Sequence, residues 1–446
     1  MPTHIIHKQK VHLRTGMSAN AFQLQNRISD LFRNGLASKI ENLFDQFSPD
    51  ENILRIDKLE LDLGIVNEKN LESEFSQQLI EQLSHSLSKQ QAENTKPGLI
   101  NAKIRQQRSL LDSLIYFLEH GYLPWYQPAK NISEFEAAIL HSFSKTEWRY
   151  LIEALKKYIA PGNETIIQRL VMQFSETFLE KILVQLNDNL GKQWGKIYNE
   201  ILLILSTTEK QTKKEMQPAL WRHAIKLALE GVSENDFMTK ILTSITEENK
   251  ESKPAKNHDK DDDKTKPAKH KANRTDGLKE EEFFTDNCGI VLLHPFLQMY
   301  FEELGLLDEK NFKDAGARHR AVLLLHYLAT GETEVAEFNL MFPKLLCNID
   351  FDEPVPNHIE LTEKETEESS NLLRSVTQHW KPLQRTSAEG LRATFLQRKG
   401  KLVEAETGWI LKVEQKTIDI LLEKLPWGIG TIMLPWMKKV LNVEWF

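Results

Sequence analysis

The chain has 446 residues, a mass of 51.7 kDa, and 57 Lys+Arg against 64 Asp+Glu, for a net charge of −7. At roughly 100–200 residues per domain this predicts two to four structural units. The acidic balance argues against general nucleic-acid affinity, and no apolar run approaches the ~20 residues that span a bilayer. The first residues lack a basic patch followed by an apolar stretch, so no secretory leader is expected. Two cysteines, Cys288 and Cys347, cannot build a disulfide framework and fit a reducing compartment.

Residues 4–14 alternate loosely, with Val11 and Leu13 in the register of a half-buried strand. A long amphipathic helix follows, from the N-cap candidate Ser18 to Phe47 and interrupted near Gly35. Pro49 ends it. In residues 53–64, Leu59, Leu61 and Leu63 point one way and Glu60 and Asp62 the other, the pattern of a strand with one wet face. Residues 1–67 therefore read as a small β-α-β unit, too small to be very stable alone.

Residues 68–248 read as helical throughout. Segments of about 10–17 residues are separated by breaks at Pro97-Gly98, 121–124, Pro161-Gly162 and Gly191. Residues 249–277 are almost purely Lys, Asp, Asn, Pro, Ala and Thr, and cannot bury enough apolar area to offset ordering, so they read as a charged disordered linker. From 278 to 446 the composition turns apolar again. Helices are expected over 295–303, 317–330, 338–346, 363–379 and 388–398, with Thr362 and Glu365 forming a capping box. Residues 401–404 and 409–414 read as a hairpin turning at 406–408. The predicted class is mainly α with α+β ends.

Searches for chemistry return little. The Gly390…Gly400-Lys401 spacing is not a phosphate loop, and neither His-Glu-x-x-His nor Gly-x-Ser-x-Gly occurs. Cys347 follows two leucines on a helical face, so burial is the expectation for it, and His294 reads as a structural histidine. Nothing selects a carboxylate pair of the kind a glycosidase needs across a cleft. No catalytic, cofactor or metal residue is assigned. Tryptophans at 380, 409, 427, 436 and 445 crowd the C-terminal end. They fit either a Trp-rich core or a docking surface, because large aromatics dominate both.

Several stretches carry a family resemblance. They include Ile6-His-Lys-Gln-Lys-Val-His-Leu13, Leu54-Arg-Ile-Asp-Lys-Leu-Glu-Leu-Asp-Leu-Gly64 and Tyr116-Phe-Leu-Glu-His-Gly-Tyr-Leu-Pro-Trp125. Further along come Gly289-Ile-Val-Leu-Leu-His-Pro-Phe296, Arg320-Ala-Val-Leu-Leu-Leu-His-Tyr-Leu-Ala-Thr-Gly-Glu332 and Lys344-Leu-Leu-Cys347. Leu425-Pro-Trp-Gly-Ile-Gly-Thr-Ile-Met-Leu-Pro-Trp-Met437 and the Val443-Glu-Trp445 ending complete the series. Together, and in this order, they resemble the tape measure protein family of contractile injection systems, phage-tail-like particles with sheath, inner tube and baseplate.

The resemblance implies a structural assembly protein, not an enzyme, that is enclosed by the growing tube and fixes its length. The implied partners are inner-tube and baseplate proteins of the same particle, with self-association as a further option. The implied place is the cytoplasm during assembly and then the particle itself. A cap, chaperone or baseplate-associated factor is the alternative, and a peptidoglycan-cleaving enzyme a more distant one. Trp409, Trp427, Trp436 and Trp445 are the candidate anchors, and Leu59, Leu61 and Leu63 a candidate oligomer or baseplate contact.

Overall fold

The computed structural model describes residues 4, 6, 9–14, 21–47, 59–94, 102–124, 127, 129, 131–158, 164–208, 213–251 and 282–445. The chain divides into two compact units. The first comprises 1–112 with 125–128, and the second 113–124 with 129–446. Residues 68–112 of the expected helical region belong to the first unit, and the rest of it, apart from 125–128, shares the second unit with the C-terminal residues.

In the first unit, α1 (Ala21–Leu31) continues through a five-residue π-turn, Phe32–Leu36, into α2 (Ala37–Phe47), with the kink at Gly35. The long helix α3 (Leu71–Asn94) packs on both. Ile28, Leu36, Ile40, Leu43, Phe75 and Leu83 form the centre of its core. Leu59, Leu61 and Leu63 are half-buried against this core, while Glu60 and Asp62 face outward. The alternation was therefore legible, but the described residues 9–14 and 59–66 carry no assigned strand. The remainder of both expected strands lies outside the described residues.

The second unit takes up α4 (Ala102–His120) from Ser113 onward. Then follow α5 (Ile132–Ser142), α6 (Lys145–Tyr158), α7 (Thr165–Gln173), α8 (Glu176–Leu186), α9 (Asp188–Thr208), α10 (Lys213–Leu229) and α11 (Glu234–Glu251). Asn131 and Ser175 cap α5 and α8 through their side-chain oxygens. Helices α8 and α9 lie together, and α10 packs on α7, α8 and α11. Trp194 and Trp221, both fully buried with ring centroids 5.0 Å apart, occupy the centre with Phe237.

Gly191 is a correction. Expected to break a helix, it lies inside α9, where a Cβ would fall 2.5 Å from the Val184 side chain of α8. The glycine is there because two helices cross closely, not because the chain turns. The end of α11 takes in residues 249–251; the rest of the charged linker lies outside the described residues.

The C-terminal domain opens with β1 (Glu282–Thr285) and a 3-10 turn, Cys288–Leu293, every residue of which is buried. Helix α12 (His294–Glu303), the short hairpin β2 (Leu307–Asp308) and β3 (Asn311–Phe312), α13 (Ala315–Thr330), α14 (Met341–Leu346) and α15 (Glu363–His379) follow. Helix α15 begins with the expected capping box of Thr362 and Glu365. The helix expected over 338–346 is instead a 3-10 turn, Glu337–Asn339, and the short α14. The one expected over 388–398 is α16 (Ala388–Leu391) running into a π-turn, Arg392–Leu396.

Strands β4 (Gly400–Ala405) and β5 (Gly408–Val413) form the expected hairpin. With β6 (Thr431–Ile432) and β7 (Val440–Glu444) they build a five-stranded sheet in the order β1-β4-β5-β7-β6. All pairings are antiparallel except β5 with β7, which pair Trp409 with Leu441 in parallel register. One sheet face covers a core that includes Ile290, Leu324, Leu402, Leu411 and Leu441.

Candidate functional site

The C-terminal tryptophans separate into two groups. Trp436 is buried between Phe301 and Phe312, with centroid distances of 5.6 and 5.0 Å, and its indole N–H donates to the Leu346 carbonyl at 2.8 Å. Trp445 is buried and donates to Asp419 Oδ2 at 3.1 Å, while Arg398 donates to Asp419 Oδ1 at 2.6 Å. Trp380, fully buried, donates to the Leu421 carbonyl at 3.1 Å. Each ring fills the core and each N–H ties together segments far apart in sequence, as a buried indole requires. Trp436 and Trp445 are thus buried core residues in this structure.

Trp427 and Trp409 are half-buried. Trp427 packs edge-on to Phe296 and donates to the Leu292 carbonyl at 3.1 Å. Trp409 lies 5.4 Å from Phe351, ring centre to ring centre, with the Lys439 ammonium 6.0 Å above its ring. It lines a cleft of about 240 Å³ together with Asn348, Phe351, Glu404, Met437 and Lys438. Lys439 is held by Glu404 at 2.7 Å. Of the four anchors expected from sequence, Trp409 lines this cleft. Leu59, Leu61 and Leu63 belong to the first unit, where their apolar face is used against that unit's own core.

The residues that a catalyst would need are placed elsewhere. Cys288 and Cys347 are buried, and burial pushes both thiols well above their ordinary range, away from nucleophilic chemistry. His294 directs Nδ1 to the Val291 carbonyl at 2.9 Å, and burial lowers its pKa. Among the described residues no group of three or more His, Cys, Asp or Glu could hold a metal ion.

The densest polar constellation in the second unit went unread in the sequence. Arg169 of α7, Glu337, and Lys344 of α14 all have fully buried side chains. Arg169 Nε donates to Glu337 Oε2 at 2.9 Å, and Lys344 Nζ donates to Glu337 Oε1 at 2.5 Å. The remaining donors reach backbone carbonyls: Arg169 to Leu118 and Asp352, Lys344 to Phe351 and Glu353. Gln173, one turn beyond Arg169, accepts the Glu337 N–H at 2.9 Å and donates to the Val355 carbonyl at 2.7 Å. Burial lowers the Lys344 pKa, and Glu337 partly restores it. One sequence signal pointed here: Arg169 and Gln173 sit four apart on the face of α7 that carries Ile166 and Leu170.

No helix among the described residues is long and apolar enough to cross a membrane. No curated protein and no solved structure matches the chain. A family model described as contractile injection system tape measure protein matches residues 3–445. That family is structural and non-enzymatic. By a match over nearly its whole length, the chain belongs to the contractile injection system tape measure protein family.

Proposed function

We propose that this chain serves the assembly of a contractile injection particle by setting the length of the inner tube, with tube and baseplate proteins as its partners. The observation that carries the reading is the family match over residues 3–445. The helical part supports it: strung end to end at ~1.5 Å per residue, about 180 helical residues would reach on the order of 270 Å. Such a ruler must act in an opened state, because the described helices of the second unit are folded on one another.

A second reading is favoured by that folding. A cap, chaperone or baseplate-associated factor would work as the folded body itself, with Trp409 and its cleft as a contact surface. Particle length measured by negative-stain electron microscopy separates the two. An in-frame deletion of 253–276 and a duplication of the same stretch leave every described helix and strand in place. A strung-out ruler gives tubes shorter and longer by up to ~80 Å, at about 3.5 Å per residue. A folded factor gives tubes of unchanged length. Normal particles in cells lacking the chain would remove the assembly role altogether.

A further inference from the structure

The geometry points to a latch: the Arg169–Glu337–Lys344 cluster locks the helical part of the second unit to the C-terminal domain and opens as one step, leaving the two cores on either side intact. The inference concerns the purified chain and stands apart from whether the protein measures tubes.

Three observations carry it. First, the cores are separate. The C-terminal cluster is built from residues 283–445, with Tyr122 as its half-buried companion from the helical side. The helical part has its own buried aromatics, among them Trp194, Trp221 and Phe237. Second, the junction between them carries buried polar bonds. Beside the aromatic contacts Phe117–Phe338 at 5.7 Å and Tyr122–Phe283 at 5.3 Å, it includes the ion cluster and the Gln173 bonds. Asn357 adds a bond to the Gln173 carbonyl at 3.3 Å.

Third, the cluster is complete only when closed. Glu337 takes a bond from each cation on a different oxygen, and Lys344 spends its ammonium on one carboxylate and two carbonyls. Gly121, at φ +81°, lets the chain pass so near that a Cβ would lie 2.6 Å from Glu337 Oε1 and 2.7 Å from the Phe351 carbonyl.

A hydrophobic contact of this size would hold the halves at less desolvation cost, and replacing buried ion sets by apolar residues is often neutral or stabilising. What an ion cluster offers instead is a two-state junction. Closed, Glu337 pairs with both cations and their other donor nitrogens reach backbone carbonyls. Half-open, charges are stranded in low dielectric, so intermediate positions are disfavoured. Fully open, water solvates the same groups. Two cations on one carboxylate make Glu337 the keystone, because its removal leaves both Arg169 and Lys344 unmatched.

Hydrogen exchange on the full-length chain tests the latch. In wild type under mild denaturant, the Glu337 amide, whose bond to the Gln173 side chain crosses the junction, should open at lower denaturant than the core amides of Ile182 and Leu324. In E337Q that junction amide should exchange at least about tenfold faster, the loss of about one charge-assisted bond, with the core amides unchanged. Equal acceleration at all three positions would make the cluster an ordinary part of one cooperative core and overturn the latch. So would unchanged exchange at the junction. Should E337Q fail to fold, the wild-type measurement decides alone: junction and core amides exchanging only together, through global unfolding, overturns the proposal.

Discussion

Arg169 and Glu337 stand 168 positions apart in the chain, yet their side chains meet at 2.9 Å with neither exposed to water. The pair ties α7 to the C-terminal part within the second unit, although the linker composition between them suggests two separate bodies. A buried pair of this kind adds little net stability when matched, but costs several kcal/mol when one partner is removed.

Gly121 is the most sensitive backbone position near that pair. G121A would place a Cβ against both Glu337 Oε1 and the Phe351 carbonyl at a φ that L-residues disfavour. The left-handed conformation costs about 1 kcal/mol, and the displacement of buried partners adds about 1–3 kcal/mol. Urea unfolding should show a total loss of about 2–4 kcal/mol. A loss below about 1 kcal/mol would mean the cluster can shift to make room.

Much of this architecture was legible because it is local. The alternation of Leu59, Leu61 and Leu63, the Thr362–Glu365 capping box and the turn between β4 and β5 each involve residues a few positions apart, where side-chain period and backbone preference act directly. The parallel pairing of β5 with β7 was not legible. It joins Trp409 to Leu441 across a long connection, where no short turn sets the register. The ion cluster was hidden for the same reason. Arg169 reads as a surface arginine until Glu337 is placed over it. The tryptophans were legible as unusual but not in role, since core and interface favour the same side chain and only the N–H partners separate them.

The two groups of tryptophans predict different losses. W436A removes a ring packed between Phe301 and Phe312 and orphans the Leu346 carbonyl. Chemical denaturation should report a loss of about 3–5 kcal/mol. W409A empties one wall of an open cleft and should cost less than about 2 kcal/mol. If Trp409 is a docking anchor, W409A should weaken incorporation into particles while the purified protein keeps its fold. Equal stability losses for the two variants would contradict this division between core and cleft.

Arg320 and Glu365 form a forked ion pair at the start of α15, with Arg320 also bonded to the Glu360 carbonyl at 2.8 Å. Burial pushes the Glu365 pKa up, but the bonds from Arg320 and Thr362 outweigh it and hold the carboxyl below its ordinary value. A depressed folded pKa contributes stability that is present above about pH 4.5 and lost as pH falls through the folded value. E365Q should therefore cost about 1.5–3 kcal/mol at pH 7 and progressively less in acid, so that its unfolding curve approaches the wild-type curve below pH 4. A penalty independent of pH would assign the loss to the capping geometry instead of the charge.

His326 carries the opposite chemistry but the same direction of acid sensitivity. It lies in the middle of α13, 5% exposed, between Leu325 and Tyr327 in sequence. Burial, with no hydrogen-bond partner at either ring nitrogen, pushes its pKa from 6.5 to about 4. Between these values the unfolded chain binds a proton that the folded chain refuses, so stability rises with pH across that window and falls on acidification. A fall from 6.5 to about 4 corresponds to about 3 kcal/mol lost between pH 7 and pH 4, at about 1.4 kcal/mol for each pH unit. H326L keeps the volume and removes the titration. Denaturant midpoints taken at pH 7 and pH 4 should then drop less for H326L than for wild type, by an amount equivalent to about 3 kcal/mol. Because E365Q is lost at lower pH than the His326 window opens, measurements at pH 7, 5.5 and 4 distinguish the two sites. A wild-type decline that persists undiminished in H326L would place the acid sensitivity in the carboxylates alone.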